Sequence, residues 1–138
     1  MEQRIDYSGN QMNNAPRFSA IGSLQYTLPL LLGGADFGSL VPRISFTWKD
    51  DVFFDAAEGK GTLQNLPDGT IGQEAYFLAN ASLLWRSGNE RFEVMGWVKN
   101  FMGEEYRLQS FDITDGFDFV IDAYGEPRTY GLTLSVYF

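Results

Sequence analysis

Cysteine and histidine are both absent from the 138-residue chain. Without cysteine there are no disulfides, thiolate metal sites or thiol nucleophiles. Without histidine, imidazole zinc sites and histidine-based acid–base catalysis are excluded. Basic residues are scarce: ten Lys and Arg stand against 18 Asp and Glu, a net charge of −8. That balance argues against a nucleic-acid partner. No apolar run reaches the roughly 18 residues that a membrane-crossing helix needs. The most apolar stretch, Leu28 to Leu32, is interrupted by Pro29. The opening residues, Met1-Glu2-Gln3-Arg4-Ile5-Asp6, contain no apolar segment of the signal-peptide kind, so no secretory leader is expected in the chain as written. The length allows one domain. The abundant class is aromatic, with 12 Phe, 7 Tyr and 3 Trp.

Period-two alternation dominates the pattern. Between residues 17 and 30, Phe18, Ala20, Gly22, Leu24, Tyr26 and Leu28 alternate with Arg17, Ser19, Ile21, Ser23, Gln25 and Thr27. Successive strand side chains point to opposite faces, so such a segment has one apolar and one polar side. The same reading gives Leu40, Ile44, Phe46 and Trp48 against Val41, Arg43, Ser45, Thr47 and Lys49. It gives Phe77, Ala79, Ala81, Leu83 and Trp85 against a half-polar set ending at Arg86, and Phe92, Val94, Gly96 and Val98 against Arg91, Glu93, Met95, Trp97 and Lys99. Finally, Tyr130, Leu132, Leu134, Val136 and Phe138 alternate with Thr129, Gly131, Thr133, Ser135 and Tyr137. The expected strands lie near 17–30, 40–54, 76–86, 90–101 and 127–138, in an all-β, antiparallel up-and-down meander of five or six strands. A further strand is expected before Gly9 and another between Tyr106 and Ile121; no segment keeps helical apolar spacing.

Connections alternate in length. Residues 86–90, with Ser87-Gly88-Asn89, and 31–39, with Gly33-Gly34, are short; 50–75 and 101–127 are long, Gly-rich and acidic. Short turns at one end and long loops at the other describe an outer-membrane barrel. A half-buried sheet in a soluble protein also alternates. Aromatics at the ends of the apolar faces favour lipid. Phe18 and Tyr26, Phe77 and Trp85, and Tyr130 and Phe138 are each eight positions apart, with Trp48 and Phe92 ending the other two strands. At strand rise and barrel tilt, eight positions span on the order of 20 Å, which approaches the apolar band between aromatic girdles. Small residues between those aromatics suit lipid, which fills space that a packed core would leave empty.

Candidate chemistry is sparse. Asp50-Asp51 with Asp55 and Glu58 could pair as glycosidase carboxylates, but no positioned partner is visible. Asp112 to Asp118 lacks the order and the twelfth-position Glu of a calcium loop. Gly59-Lys60-Gly61-Thr62 lacks the glycine spacing of a phosphate loop. No enzyme activity, cofactor or metal is expected. Phe53, Phe54, Phe111, Phe117 and Tyr124 in the long connections could grip a ligand or pack on each other.

Particular residues carry a family resemblance. They are Asn14-Ala15-Pro16, the strand Tyr76 to Trp85, the run Trp97-Val98-Lys99-Asn100-Phe101-Met102-Gly103-Glu104-Glu105-Tyr106, and the tail Glu126-Pro127-Arg128-Thr129 through Phe138. Together they resemble the C-terminal part of the barrel of a TonB-dependent outer-membrane receptor, over nearly the whole of residues 1–138. Where the family often has Asn-Leu-Phe-Asp, this chain has Asn100-Phe101-Met102-Gly103. The resemblance implies a segment of a 22-stranded transmembrane β-barrel in the outer membrane of a Gram-negative cell. It makes Gly131, Leu134, Val136 and Phe138 a signal read by the barrel assembly machinery. It implies as partners the membrane lipid, the rest of the barrel and its plug, the TonB complex acting through the plug, and a scarce nutrient such as an iron–siderophore complex. Plug, TonB box and signal peptide are not found in the sequence, so a truncated gene or a fragment without transport activity of its own is expected. The competing reading is a small autonomous β-sheet binding or structural protein that oligomerises.

Overall fold

The computed structural model describes residues 6–59, 66–67 and 69–138, without the side chain of Asp115. Among the described residues ten strands occur in the order β1 Ser19–Gln25, β2 Leu28–Leu32, β3 Ala35–Lys49, β4 Val52–Phe53, β5 Gly72–Gln73, β6 Tyr76–Arg86, β7 Phe92–Lys99, β8 Arg107–Asp112, β9 Val120–Tyr124 and β10 Thr129–Val136, with one helical turn, α1 Thr114–Phe117, between β8 and β9. The main sheet runs β1-β3-β6-β7-β10, with β2 also on β3. β10 lies antiparallel to β7, β7 to β6, and β2 to β3. The chain divides into two compact units. One holds Ala20–Thr47, Phe77–Glu104 and Glu126–Phe138; the other holds Met1–Ser19, Trp48–Tyr76 and Glu105–Gly125. The first is the sheet unit and the second the connection unit.

Register places the alternating sets as the sequence arranges them. Leu83 pairs with Gly96 and Gly96 with Leu132; Trp85 pairs with Val94 and Val94 with Leu134. Leu28 pairs with Leu40. The rings of Phe46 and Phe77 stack at 6.0 Å, and the Phe46 ring lies over Gly22. One face therefore holds the even positions of β1, β7 and β10, those of β3 from Leu40 on, and the odd positions of β6. A one-residue slip in any strand would have broken this set.

Four details differ from the sequence expectation. No strand precedes Gly9 among residues 6–9, which form a turn; residues 1–5 lie outside the described residues. The first expected strand is divided. Tyr26 N donates to Pro42 O at 3.1 Å, but proline has no N–H to return the bond, and the strand breaks at Tyr26–Thr27. Residues 31–39 are mostly strand rather than connection. The turn shrinks to Gly33-Gly34, whose φ angles of 60° and 85° suit a two-residue hairpin loop. Between the pairs Pro29–Ser39 and Leu31–Asp36, Phe37 and Gly38 together oppose Leu30, which is a β-bulge on β3.

The long connections are structured too. β4 pairs β5, and β8 pairs β9 with a shift near Leu108. Instead of one strand between Tyr106 and Ile121 there is a hairpin closed through α1. Ile71, Phe54, Ala57 and Tyr76 are buried in this unit. Arg107 clamps it: its guanidinium donates to Thr70 O at 2.9 Å and Gly69 O at 3.0 Å, while its backbone N donates to Gln73 Oε1 at 2.7 Å. Tyr106 stacks on Tyr76 at 4.8 Å and covers Gly125.

Candidate functional site: two sheet faces and the connections

The apolar face is exposed across the sheet unit: Leu24, Leu83, Leu132, Leu134 and Val136 all show substantial surface. Its aromatics sit at strand ends. Phe77 and Tyr130 are second in β6 and β10, Trp48 is next to last in β3, and Phe18 lies just before β1. At the ends by the short turns stand Trp85 and Phe92, and Tyr137 N donates to Arg91 O at 2.9 Å, bringing Phe138 to the same end. Tyr26 lies short of that end, because β2 continues beyond it. The bulge adds an aromatic that alternation could not reveal. The extra residue turns Phe37 to the side of Leu28 and Leu30 and moves Asp36 to the other side. Asp36 Oδ1 there accepts the Gly38 N–H at 2.7 Å, and Trp85 Nε1 donates to Phe37 O at 3.1 Å.

The opposite face carries charged and hydroxyl side chains of the sheet unit, with Ile21 and Leu31 exposed among them, and is internally bonded. Arg86 and Glu93 pair at 2.7 Å, and Tyr137 O–H donates to Glu93 at 3.2 Å. A shallow pocket of about 240 Å³ lies among Arg43, Ser45, Asn80, Met95, Trp97 and Lys99. Gly131 is on this side, where the Trp97 ring occupies the place of its missing side chain.

Asn100 joins the end of β7 to the approach to β10. It is buried, with φ of 47°. Its N–H donates to Asn80 Oδ1 at 2.9 Å, and its Nδ2 donates to Glu104 O at 2.8 Å and Glu126 O at 3.2 Å. Its Oδ1 accepts the Glu104 N–H at 2.9 Å. Asn tolerates the left-handed region better than most residues. The Asn-Phe-Met-Gly run thereby acquires a physical role, because its first residue fastens the turn while Met102 is exposed. Asn100→Ala leaves several of these groups unpaired and adds backbone strain, and is expected to cost about 2–3 kcal/mol. Asn100→Gly loses the same side-chain bonds without the strain and should cost about 1 kcal/mol less. Denaturant midpoints of the two variants check the order.

The candidate ligand aromatics of the connections differ in access. Phe54 is buried and Phe53 half-buried, whereas Phe111, Phe117 and Tyr124 are exposed, and Phe117 and Phe119 meet at 6.1 Å. A polar cleft of about 570 Å³ lies among Glu74, Glu105, Arg107 and Tyr124. The carboxylates hold loop backbone. Asp55 accepts the Ala57 and Gly59 N–H groups, Glu58 that of Gln11, and Asp50 that of Asp51. Asp112 Oδ1 accepts from Thr114 N at 2.9 Å and Oγ1 at 2.6 Å. Among the described residues no three acidic side chains gather as metal ligands. Lys60, Gly61 and Thr62 lie outside the described residues. Near the start of the chain, the Ser8 side chain and N–H bond Asp6 and hold its carboxyl below the usual range.

No family model matches the chain, and no curated protein matches it. Among solved structures, the ferric yersiniabactin uptake receptor FyuA from Yersinia pestis is similar, with a TM-score of 0.73 at 21% identity over 96% of this chain. The matched part is 18% of that receptor's chain, so this chain spans under a fifth of its length. At that identity the likeness is one of fold: all-β, antiparallel, and similar to part of the barrel of that uptake receptor.

Proposed function

We propose that the chain forms part of the wall of an outer-membrane transport receptor resembling the TonB-dependent family, with residues 1–138 as a C-terminal section of a 22-stranded barrel. The observation that carries this reading is the apolar face. Leu24, Leu132 and Leu134 are 71%, 75% and 66% exposed in a sheet whose own unit gives that face no second layer among the described residues. Sheets in water bury their apolar face against another layer, and contiguous exposed apolar surface marks a membrane or protein contact. Lipid supplies the cover here. Charge is divided accordingly: the sheet unit has five acidic and five basic residues, whereas the connection unit has 13 acidic and five basic and carries the whole net charge.

In this reading Phe18, Trp48, Phe77, Trp85, Phe92, Tyr130 and Phe138 form the interfacial girdles, with Phe37 taking the place at the short turns that the sequence assigns to Tyr26, which lies short of that row. Gly131, Leu134, Val136 and Phe138 serve assembly. Phe111, Phe117 and Tyr124 are the aromatics best exposed to meet a nutrient ligand, for which an iron–siderophore complex is the model taken from the similar receptor. The protein is a transport component rather than an enzyme. Uptake would require the remaining barrel strands on both sheet edges, a plug and TonB.

The native tryptophans test the orientation. Trp85 is on the apolar face and Trp97 on the polar one. Variants keeping one of them, with the others changed to Phe, are inserted into vesicles whose acyl chains are brominated. Trp85 fluorescence should be strongly quenched and that of Trp97 little affected. Equal quenching, or none at Trp85 as expected of a soluble oligomer, would overturn the proposal.

A further inference from the structure

We infer that Trp97 and Gly131 form a register lock that fixes β10 on β7 among alternatives the hydrophobic pattern cannot distinguish. Gly131 pairs with Trp97, and a Cβ on Gly131 would stand 2.5 Å from Trp97 Cζ2 and 2.9 Å from Cε2. The indole therefore lies directly over the Gly131 backbone. Its Nε1–H reaches along β10 to Thr133 Oγ1 at 3.3 Å. One ring thus touches two positions of the neighbouring strand.

A slip of one residue is already forbidden, because it would turn every apolar side chain of β10 to the polar side. A slip of two keeps all faces correct. Three of Tyr130, Leu132, Leu134 and Val136 would still lie beside members of the set Phe92, Val94, Gly96 and Val98, while Tyr130 would come opposite Asn100 in one slip or Val136 opposite Glu90 in the other. Strand charge does not arbitrate, since β10 contains no charged residue between Thr129 and Val136. A second polar contact, from Tyr137 to Glu93 at 3.2 Å, lies beyond the end of β10. The bonds at the two ends, from Asn100 to Glu126 O and from Tyr137 to Arg91 O and Glu93, would also be broken by such a slip, but within the paired strands what changes is the residue under Trp97, which becomes Thr129 or Thr133 instead of Gly131. A β-branched side chain cannot occupy the space beneath the ring. β10 has one glycine and β7 one tryptophan, so a single register satisfies both. The inference rests on this pairing alone and does not depend on the transport reading.

The absence of native cysteine makes the register directly readable. Leu132→Cys is combined with Gly96→Cys for the observed register, or with Val94→Cys or Val98→Cys for the two slipped ones. The open space at Gly96 admits the new side chain. Partners directly opposite on antiparallel strands lie within disulfide reach. With Trp97 and Gly131 intact, cross-linking should be confined to the 96–132 pair. Trp97→Ala, and separately Gly131→Ala, should lower the ratio of in-register to slipped product by roughly tenfold. Exchanging the two residues, Trp97→Gly with Gly131→Trp, should recover the single register. The inference fails if the 96–132 pair does not cross-link in the parent chain. It also fails if Trp97→Ala stays confined to that pair, or if the exchange slips as much as the single changes.

Discussion

Leu83→Arg is expected to destabilise the membrane-inserted sheet by about 2–4 kcal/mol, whereas Ser82→Arg, one residue away, should cost under about 1 kcal/mol. The two positions share a strand but not a face. Leu83 pairs with Gly96, which pairs in turn with Leu132, so it stands in an apolar row across three strands. An arginine there must be buried in hydrocarbon or drag water toward the midplane. Ser82 pairs with Trp97 and lines the shallow pocket that also holds Arg43 and Lys99. A cation on that side remains hydrated. Unfolding titrations of both variants from bilayers of the same composition measure the difference. Equal costs would mean that the sheet has no lipid side, and a larger cost at Ser82 would reverse the faces.

The face assignment is legible in the sequence because alternation is a local signal. Each of β6, β7 and β10 keeps its period of two from end to end, so one strand at a time places Leu83, Gly96 and Leu132 together without any knowledge of pairing. The bulge is illegible for the same reason. An added residue at Phe37–Gly38 resets the parity of β3, and residues 35–39 then resemble a Gly-rich connection. The β8–β9 hairpin reads as one strand in the sequence because its register shifts between Arg107 and Gln109, so no alternation runs through it. Among the candidate ligand residues, composition nominates aromatics but not their access. Phe53 and Phe54 are adjacent, yet only Phe54 is buried, in the unit where its N–H donates to Ile71 O at 3.0 Å. Asn100 stands inside a recognisable motif, but its role depends on carbonyls four and 26 residues away, one of them beyond the β8–β9 hairpin.

Gly38→Ala should cost about 3 kcal/mol or more, and Gly33→Ala only about 1 kcal/mol, although both glycines have positive φ. At Gly33, with φ of 60°, a Cβ would meet no atom within 4 Å, so the cost is that of holding an L-residue in the left-handed region. At Gly38, with φ of 96°, the same atom would overlap the carbonyl oxygen of Arg86 in the neighbouring strand. That oxygen belongs to backbone at the end of β6, where the turn cannot move away cheaply. Ser87 N donates to Phe92 O at 2.9 Å, and Glu90 N to Ser87 O at 2.9 Å. The substituted chain must separate β3 from β6 at the short-turn end or abandon the bulge. Losing the bulge would return Asp36 toward the apolar side and Phe37 away from it, placing a carboxylate beside Trp85. The expected signature is therefore double: a lowered unfolding midpoint and a change in the emission of Trp85, whose Nε1–H bond to Phe37 O depends on the bulge. If Gly38→Ala and Gly33→Ala cost the same and Trp85 emission is unchanged, backbone φ alone accounts for both glycines and the close approach of β3 to Arg86 is not maintained.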